Sequence, residues 1–137
     1  MKSIFLFCTL LLSLSTCNQD DKVTSQQNNP SFTLVSRSNP FGGSSTEYPS
    51  EAIVWTIDFS TQKIDVAING DPTPVYLEEG SYNYELKEHP CSYDDNQFIS
   101  VGGNDLGVLI LDEFDEGTLI ITGECYDGDR LTFRRLN

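Results

Sequence analysis

The sequence predicts an all-β domain, an eight-stranded antiparallel up-and-down barrel, with a two-sheet β-sandwich as the runner-up. Three observations carry this reading. From Phe32 onward apolar residues recur with period two, the spacing at which successive side chains fall on opposite faces of a strand. Clusters of Gly, Pro, Asn, Asp and Ser separate these runs at short intervals, and no segment carries the helical period. Eight short strands in meander order over 106 residues pair most simply with their neighbours in sequence, and closing such a meander removes its free edges.

The first strand is expected over Phe32 to Ser36, followed by the turn-forming stretch Asn39-Pro40-Phe41-Gly42-Gly43-Ser44. Ala52 to Phe59 is the clearest strand, with Ile53, Trp55, Ile57 and Phe59 on one face. Ile64, Val66 and Ile68 repeat the alternation after Ser60-Thr61-Gln62, so the two runs form a hairpin with both apolar sets on the same side. Pro72 and Pro74 cannot donate to a ladder and force a loop. Gly80 then opens a strand to Lys87 that aligns Tyr82, Tyr84 and Leu86.

Further on come Phe98 to Val101, Leu106 to Leu111, Thr118 to Thr122 and Arg130 to Arg135. Leu106 to Leu111 is apolar on both faces, so its inward parity is ambiguous. The acidic turns Asp112-Glu113-Phe114-Asp115-Glu116 and Asp127-Gly128-Asp129 do not match a calcium loop in spacing and are read as solvated turn residues.

Ahead of the barrel, Lys2 and the 11-residue apolar run Ile4 to Leu14 have the build of a signal peptide, too short for the roughly 20 residues of a spanning helix. Leu14-Ser15-Thr16-Cys17 resembles a bacterial lipobox, in which the Cys is acylated and becomes the first residue; Thr16 stands where Gly, Ala or Ser is usual. Plain secretion is the alternative. The expected organisation is therefore residues 1–16 as a removed leader, 17–31 as an acylated Cys with a flexible tether of Gln, Asn and Ser, and 32–137 as the barrel. Such an anchor holds the protein at a membrane surface without a spanning segment. Asp20-Asp21 behind the Cys resembles the signal by which some Gram-negative bacteria export lipoproteins to the cell surface, with an ordinary charged linker as the alternative.

Loss of the leader removes Lys2 and leaves 7 basic residues against 21 acidic ones, a net charge near −14. With so few scattered cations, nucleic acid is excluded as a partner. Acidity on this scale serves solubility and also attracts basic proteins. Once Cys8 is cleaved and Cys17 acylated, Cys91 and Cys125 remain as an even pair in an oxidising compartment and are read as one disulfide. Neither has a His or Cys neighbour at metal-ligand spacing, and no metal or other cofactor is expected. His89, the single histidine, lies in a loop with no nucleophile elbow in the chain, so no catalytic residues are assigned and the protein is read as a non-enzyme.

Phe32-x-Leu34, Phe41-Gly42-Gly43, Ile53-Val54-Trp55-Thr56-Ile57-Asp58-Phe59, Gly80-Ser81-Tyr82-x-Tyr84, Gly117-Thr118-Leu119-x-Ile121 and Asp127-Gly128-x-x-Leu131-x-Phe133-x-Arg135 together resemble the small lipocalin-like lipoproteins of Gram-negative bacteria. Relatives often carry Trp where this chain has Phe32. The resemblance implies a barrel at the cell envelope, on the periplasmic or surface face of the outer membrane, and an Arg that closes one end. Arg135 shares parity with Leu131 and Phe133 and is expected to stack on Trp55 or Phe32. Trp55, Tyr82 and Tyr84 are candidate ligand-pocket residues, although side chains this large on strands this short fill an eight-stranded barrel, and Trp55 is read first as core. Two functions follow as expectations for this monomer. One is a binding module for a small apolar ligand; the other is an inhibitor of a basic hydrolase, a lysozyme or a protease, acting through acidic loops.

Overall fold

The computed structural model describes residues 29–72, 75–90, 92 and 96–137. The described residues form an all-β structure of nine strands: β1 (Ser31–Asn39), β2 (Ser44–Glu47), β3 (Ile53–Asp58), β4 (Lys63–Ile68), β5 (Gly80–Lys87), β6 (Gln97–Val101), β7 (Asn104–Ile110), β8 (Thr118–Thr122) and β9 (Arg130–Arg135). A short 3₁₀ turn, Glu124–Tyr126, precedes the last strand. Each neighbouring pair from β3 to β9 is antiparallel, and β1 closes the ring by pairing with both β3 and β9. Strands β1 and β3 to β9 thus make a closed eight-stranded barrel compatible with a lipocalin-like fold. The extra strand β2 hangs on β1 alone.

The hairpin of β3 and β4 has the expected register, with Ile53 opposite Ile68, Trp55 opposite Val66 and Ile57 opposite Ile64. Its apolar members face a common core with Phe32, Leu34, Tyr84, Ile99, Val101, Leu119, Ile121, Leu131 and Phe133. Phe59 departs from the expectation: it lies beyond the end of β3 and is 48% exposed, because the ladder stops at the Asp58 to Lys63 pair.

Two bulges break the period-two rule and re-aim side chains. In β1 the register against β9 shifts between Leu34 and Ser36, so that Leu34 opposes Phe133 and Arg37 opposes Leu131. An inward residue is therefore followed by another three positions later. In β7 the register shifts opposite Ile99 and Ser100, which puts Leu106 and Leu109 into the core while Val108 is buried on the outer side. Gly107 makes this bulge possible: its φ is +141°, and a Cβ there would collide with the carbonyl oxygen of Thr122.

β1 begins at Ser31, and the Pro30 carbonyl accepts from the Ile57 amide. The expected leader, Cys17 and most of the expected tether lie outside the described residues, as does Cys91. Among the described residues no helix is long and apolar enough to cross a membrane.

Candidate functional site

The barrel has two dissimilar ends, and side chains from the loops pack against the core at each. At one end lie the turn between β1 and β2, the stretches Asn69 to Pro72 and Val75 to Glu79, and the stretch from Gly123 to Asp129. At the other lie Asn29 and Pro30, the turn between β3 and β4, and the turn between β7 and β8.

The first end is closed by the loop that precedes β5. Val75 and Leu77 drop into the core and are each 3% exposed. Tyr76 between them has a φ of +61°, and the Leu77 amide donates to the Val75 carbonyl across 2.7 Å, which is a γ-turn of the strained hand. This geometry turns the Tyr76 ring out of the plug while both flanking residues point in. The Tyr76 hydroxyl donates to Asp129 Oδ2 at 2.7 Å, Arg37 Nε donates to the same oxygen at 2.6 Å, and the Arg37 guanidinium lies 5.6 Å from the centre of the Tyr76 ring. Burial pushes the Asp129 carboxyl up, but the bonds from Tyr76 and Arg37 outweigh it and hold the group below its ordinary range. Burial and the bond to Asp129 push the Tyr76 hydroxyl up to about 12.

Asp129 corrects an expectation. The sequence predicts a solvated turn residue, yet Asp129 is buried and forms the hub of this clamp, because the bulge at Val35 brings Arg37 onto its side of the wall.

The opposite end is closed by aromatic rings and one cation. Phe32 is fully buried and pairs in register with Arg135. The Arg135 guanidinium lies 5.5 Å from the centre of the Phe32 ring and 4.8 Å from that of Phe114. Phe114 also meets Phe32 at 5.6 Å and Phe59 at 6.0 Å. Arg135 thus lies over Phe32 and Phe114 and not over Trp55, which packs against Phe133 at 4.7 Å. Strand alternation does not point to Phe114, which lies in a turn; a lone Phe between four carboxylates is its signal in the sequence.

Between the two ends, the described residues leave little interior space. The space bounded by Trp55, Ile64, Tyr84, Ile99, Leu109 and Leu119, with the half-exposed Phe59 and Leu111 at its mouth, amounts to about 20 Å³, room for about one water. Trp55 and Tyr84 share this lining, where burial and the charge of Asp58 raise the Tyr84 hydroxyl above its usual value. Tyr82 stands apart from them, half-buried beside the Gly102 turn, its hydroxyl donating to the Glu78 carbonyl at 3.0 Å. The candidate residues Phe32, Trp55, Tyr82, Tyr84 and Arg135 therefore do not converge on one pocket.

A groove of about 830 Å³ runs along the outside of the first end, between β2 with its following loop and the stretch Asn69 to Pro72 that leaves β4. Glu47, Tyr48, Pro49, Glu51, Asp71 and Pro72 are its prominent walls, and no Lys or Arg lines it. Glu47, Glu51 and Asp71 are exposed and take part in none of the ion pairs among the described residues.

On the outer wall His89 stacks on Phe98, with ring centres 4.2 Å apart. Cys125 is exposed and disulfide-bonded, in the 3₁₀ turn. Among the described residues no group of three or more His, Cys, Asp or Glu is arranged to hold a metal ion. No protein-family model, curated protein or solved structure matches the chain.

Proposed function

We propose that this chain is a lipocalin-like lipoprotein of the Gram-negative envelope, anchored to the outer membrane through acylated Cys17, and that it works as a non-enzymatic binding module for a basic protein. A secreted or envelope hydrolase, lysozyme or protease, is the partner class that its charge fits best. The observation that carries this reading is how little interior space the described residues leave. A space of about 20 Å³ is far below the roughly 300 to 1,000 Å³ of small-molecule pockets, so binding falls to the outer surface. A net charge of −13 over 137 residues then favours a cationic partner and steers its approach.

Polarity along the barrel supports the same reading. Asn29 and Pro30, where the tether joins, sit beside Arg135 and Leu136, at the end remote from the acidic groove. A membrane anchor at Cys17 leaves that groove facing away from the lipid. A Cys91 to Cys125 disulfide fits an exported domain of this size, and in the chain-entropy model a loop of about 35 residues contributes roughly 3 to 4 kcal/mol.

Calorimetric titration of the protein with a basic lysozyme and a basic protease, at low and at molar salt, tests the function. Binding that weakens steeply as salt rises, with no uptake of an apolar fluorescent probe, is the expected result. One-to-one probe uptake that quenches Trp55, without affinity for either hydrolase, would instead establish an interior ligand site. Intact-mass analysis of the membrane fraction tests the anchor: a mature chain that begins anywhere other than an acylated Cys17 removes it from the proposal.

A further inference from the structure

β2 is an unfinished strand. Where β1 parts from β3 beyond Thr33, β2 takes the place of β3 beside Ser36 to Asn39, and all four of its residues are exposed. The Tyr48 amide donates to the Val35 carbonyl at 2.9 Å, which makes Val35 and Tyr48 a hydrogen-bonded pair of the antiparallel ladder. Such pairs alternate along the ladder, so the next ones are Arg37 with Thr46 and Asn39 with Ser44. The intervening residues, Ser45 and Glu47, therefore turn their amide and carbonyl groups outward. No other strand among the described residues pairs with that edge.

The edge borders the acidic groove. Thr46, Glu47 and Tyr48 form one wall, while Ala52 and Asn69 to Pro72 form the other. An extended chain laid here meets backbone groups on one side and carboxylates from Glu47, Glu51 and Asp71 around it. We infer that β2 is the recognition edge of the protein, where an extended, Lys- or Arg-bearing segment of a partner adds as a further antiparallel or parallel strand.

This inference rests on the basic-partner reading above and specifies its site. Strand addition provides affinity through main-chain bonds and specificity through alternate side chains. The carboxylates select the cations and have no ion-pair partner to displace among the described residues. The same carboxylates disfavour the other natural occupant of an open edge, a second copy of this chain, since pairing two β2 strands would bring Glu47 and its neighbours together across two bodies of net charge −13.

The test uses the full chain and two synthetic decapeptides of equal charge, one alternating Lys and Thr and one with Pro replacing two of its Thr residues. The proline peptide keeps the charge and cannot complete a ladder. Ser45→Pro removes an outward amide without touching the β1 ladder, and circular dichroism checks that the variant folds. A triple variant, Glu47→Gln with Glu51→Gln and Asp71→Asn, removes the charge. The expected result is binding of the Lys-Thr peptide that falls about tenfold or more with the proline peptide, with Ser45→Pro and with the triple variant, accompanied by slowed hydrogen exchange at the Ser45 and Glu47 amides.

Equal binding of both peptides, unaffected by Ser45→Pro, would overturn strand addition and leave the basic-partner reading intact. So would a basic hydrolase that binds wild type and Ser45→Pro alike. A dimer dissociated by Ser45→Pro in sedimentation would assign the edge to self-association and overturn the inference. Absence of binding to both peptides and to every basic hydrolase would remove the functional reading itself.

Discussion

The Tyr76 hydroxyl donates to Asp129 Oδ2 across 2.7 Å, tying a residue of strained backbone to a buried carboxylate 53 positions along the chain. The bond has a mechanical consequence. Val75 and Leu77 can both enter the core only if Tyr76 holds its positive φ, and the Tyr76 side chain is what secures that conformation from outside. The plug at this end of the barrel is therefore held by a clamp made from three distant segments, β1, the loop before β5, and the approach to β9.

Tyr76→Phe should lower stability by about 1 to 2 kcal/mol. The ring and its packing survive, but Asp129 keeps its charge in a buried place with one donor fewer, and the strained turn loses its anchor. Urea titration measures the loss. An unchanged midpoint would show that the plug holds without the clamp.

The clamp also sets two limits in pH. The Asp129 carboxyl is depressed in the fold, so its contribution is fully present above the unfolded value of about 3.9 and is lost as pH falls through the lower folded value. Tyr76 has the opposite sign: its folded value is raised to about 12, so its contribution is complete below the unfolded value of about 10 and disappears between there and about 12. Stability measured against pH should fall less steeply on the alkaline side in Tyr76→Phe, and less steeply on the acid side in Asp129→Asn. Parallel curves for wild type and both variants would contradict the coupling.

Gly107→Ala should cost about 3 kcal/mol, combining the strain of an Ala at φ +141° with a collision against the Thr122 carbonyl, which the ladder of β7 and β8 holds in place. Gly103→Ala serves as the comparison. It too has a positive φ, +83°, but nothing stands within 4 Å of its Cβ position, so the cost there is the backbone strain alone. Thermal unfolding of the two variants separates collision from strain.

Most of the barrel was legible because strands covered on one face by a core announce themselves with period two, as Ile53, Trp55 and Ile57 do against Ile64, Val66 and Ile68. What escaped was whatever depends on a break in that period. The bulge at Val35 places Arg37 on the inner side of the wall, where simple alternation puts it outside, and without Arg37 there was no reason to take Asp129 for anything but a turn residue. The bulge at Gly107 produced the ambiguous parity of Leu106 to Leu111. β2 has no apolar residue at all, since it buries neither face, so Ser44-Ser45-Thr46-Glu47 carries no hydrophobic pattern to read. The acidic groove joins residues from separate loops and is a product of the topology.

The remaining prediction concerns the other end of the barrel, where Arg135 and its neighbour Arg134 occupy adjacent positions with different surroundings. Arg134 is exposed, whereas Arg135 is half-buried over the rings of Phe32 and Phe114 and donates from Nη2 to the Phe114 carbonyl at 3.4 Å. That contact links the last strand to the turn between β7 and β8, and the Arg135 amide strengthens the link by donating to the Gly117 carbonyl at 2.7 Å. Arg135→Ala keeps the backbone bond but removes the cation from both rings and uncovers the Phe32 edge, so it should cost about 1 to 2 kcal/mol. The gain is limited by the buried Arg135 Nε, which has no hydrogen-bond partner and subtracts from what the rings provide. Arg134→Ala should change stability by less than about 0.5 kcal/mol, as exposed substitutions commonly do. Phe114→Leu distinguishes ring from bulk: it preserves apolar cover for Phe32 while removing one of the two aromatic faces that meet the guanidinium. A double-mutant cycle of Arg135→Ala with Phe114→Leu in denaturant titration should therefore yield a coupling of about 0.5 to 1 kcal/mol. A coupling near zero would mean that the arginine closes this end by covering it and that its charge contributes nothing.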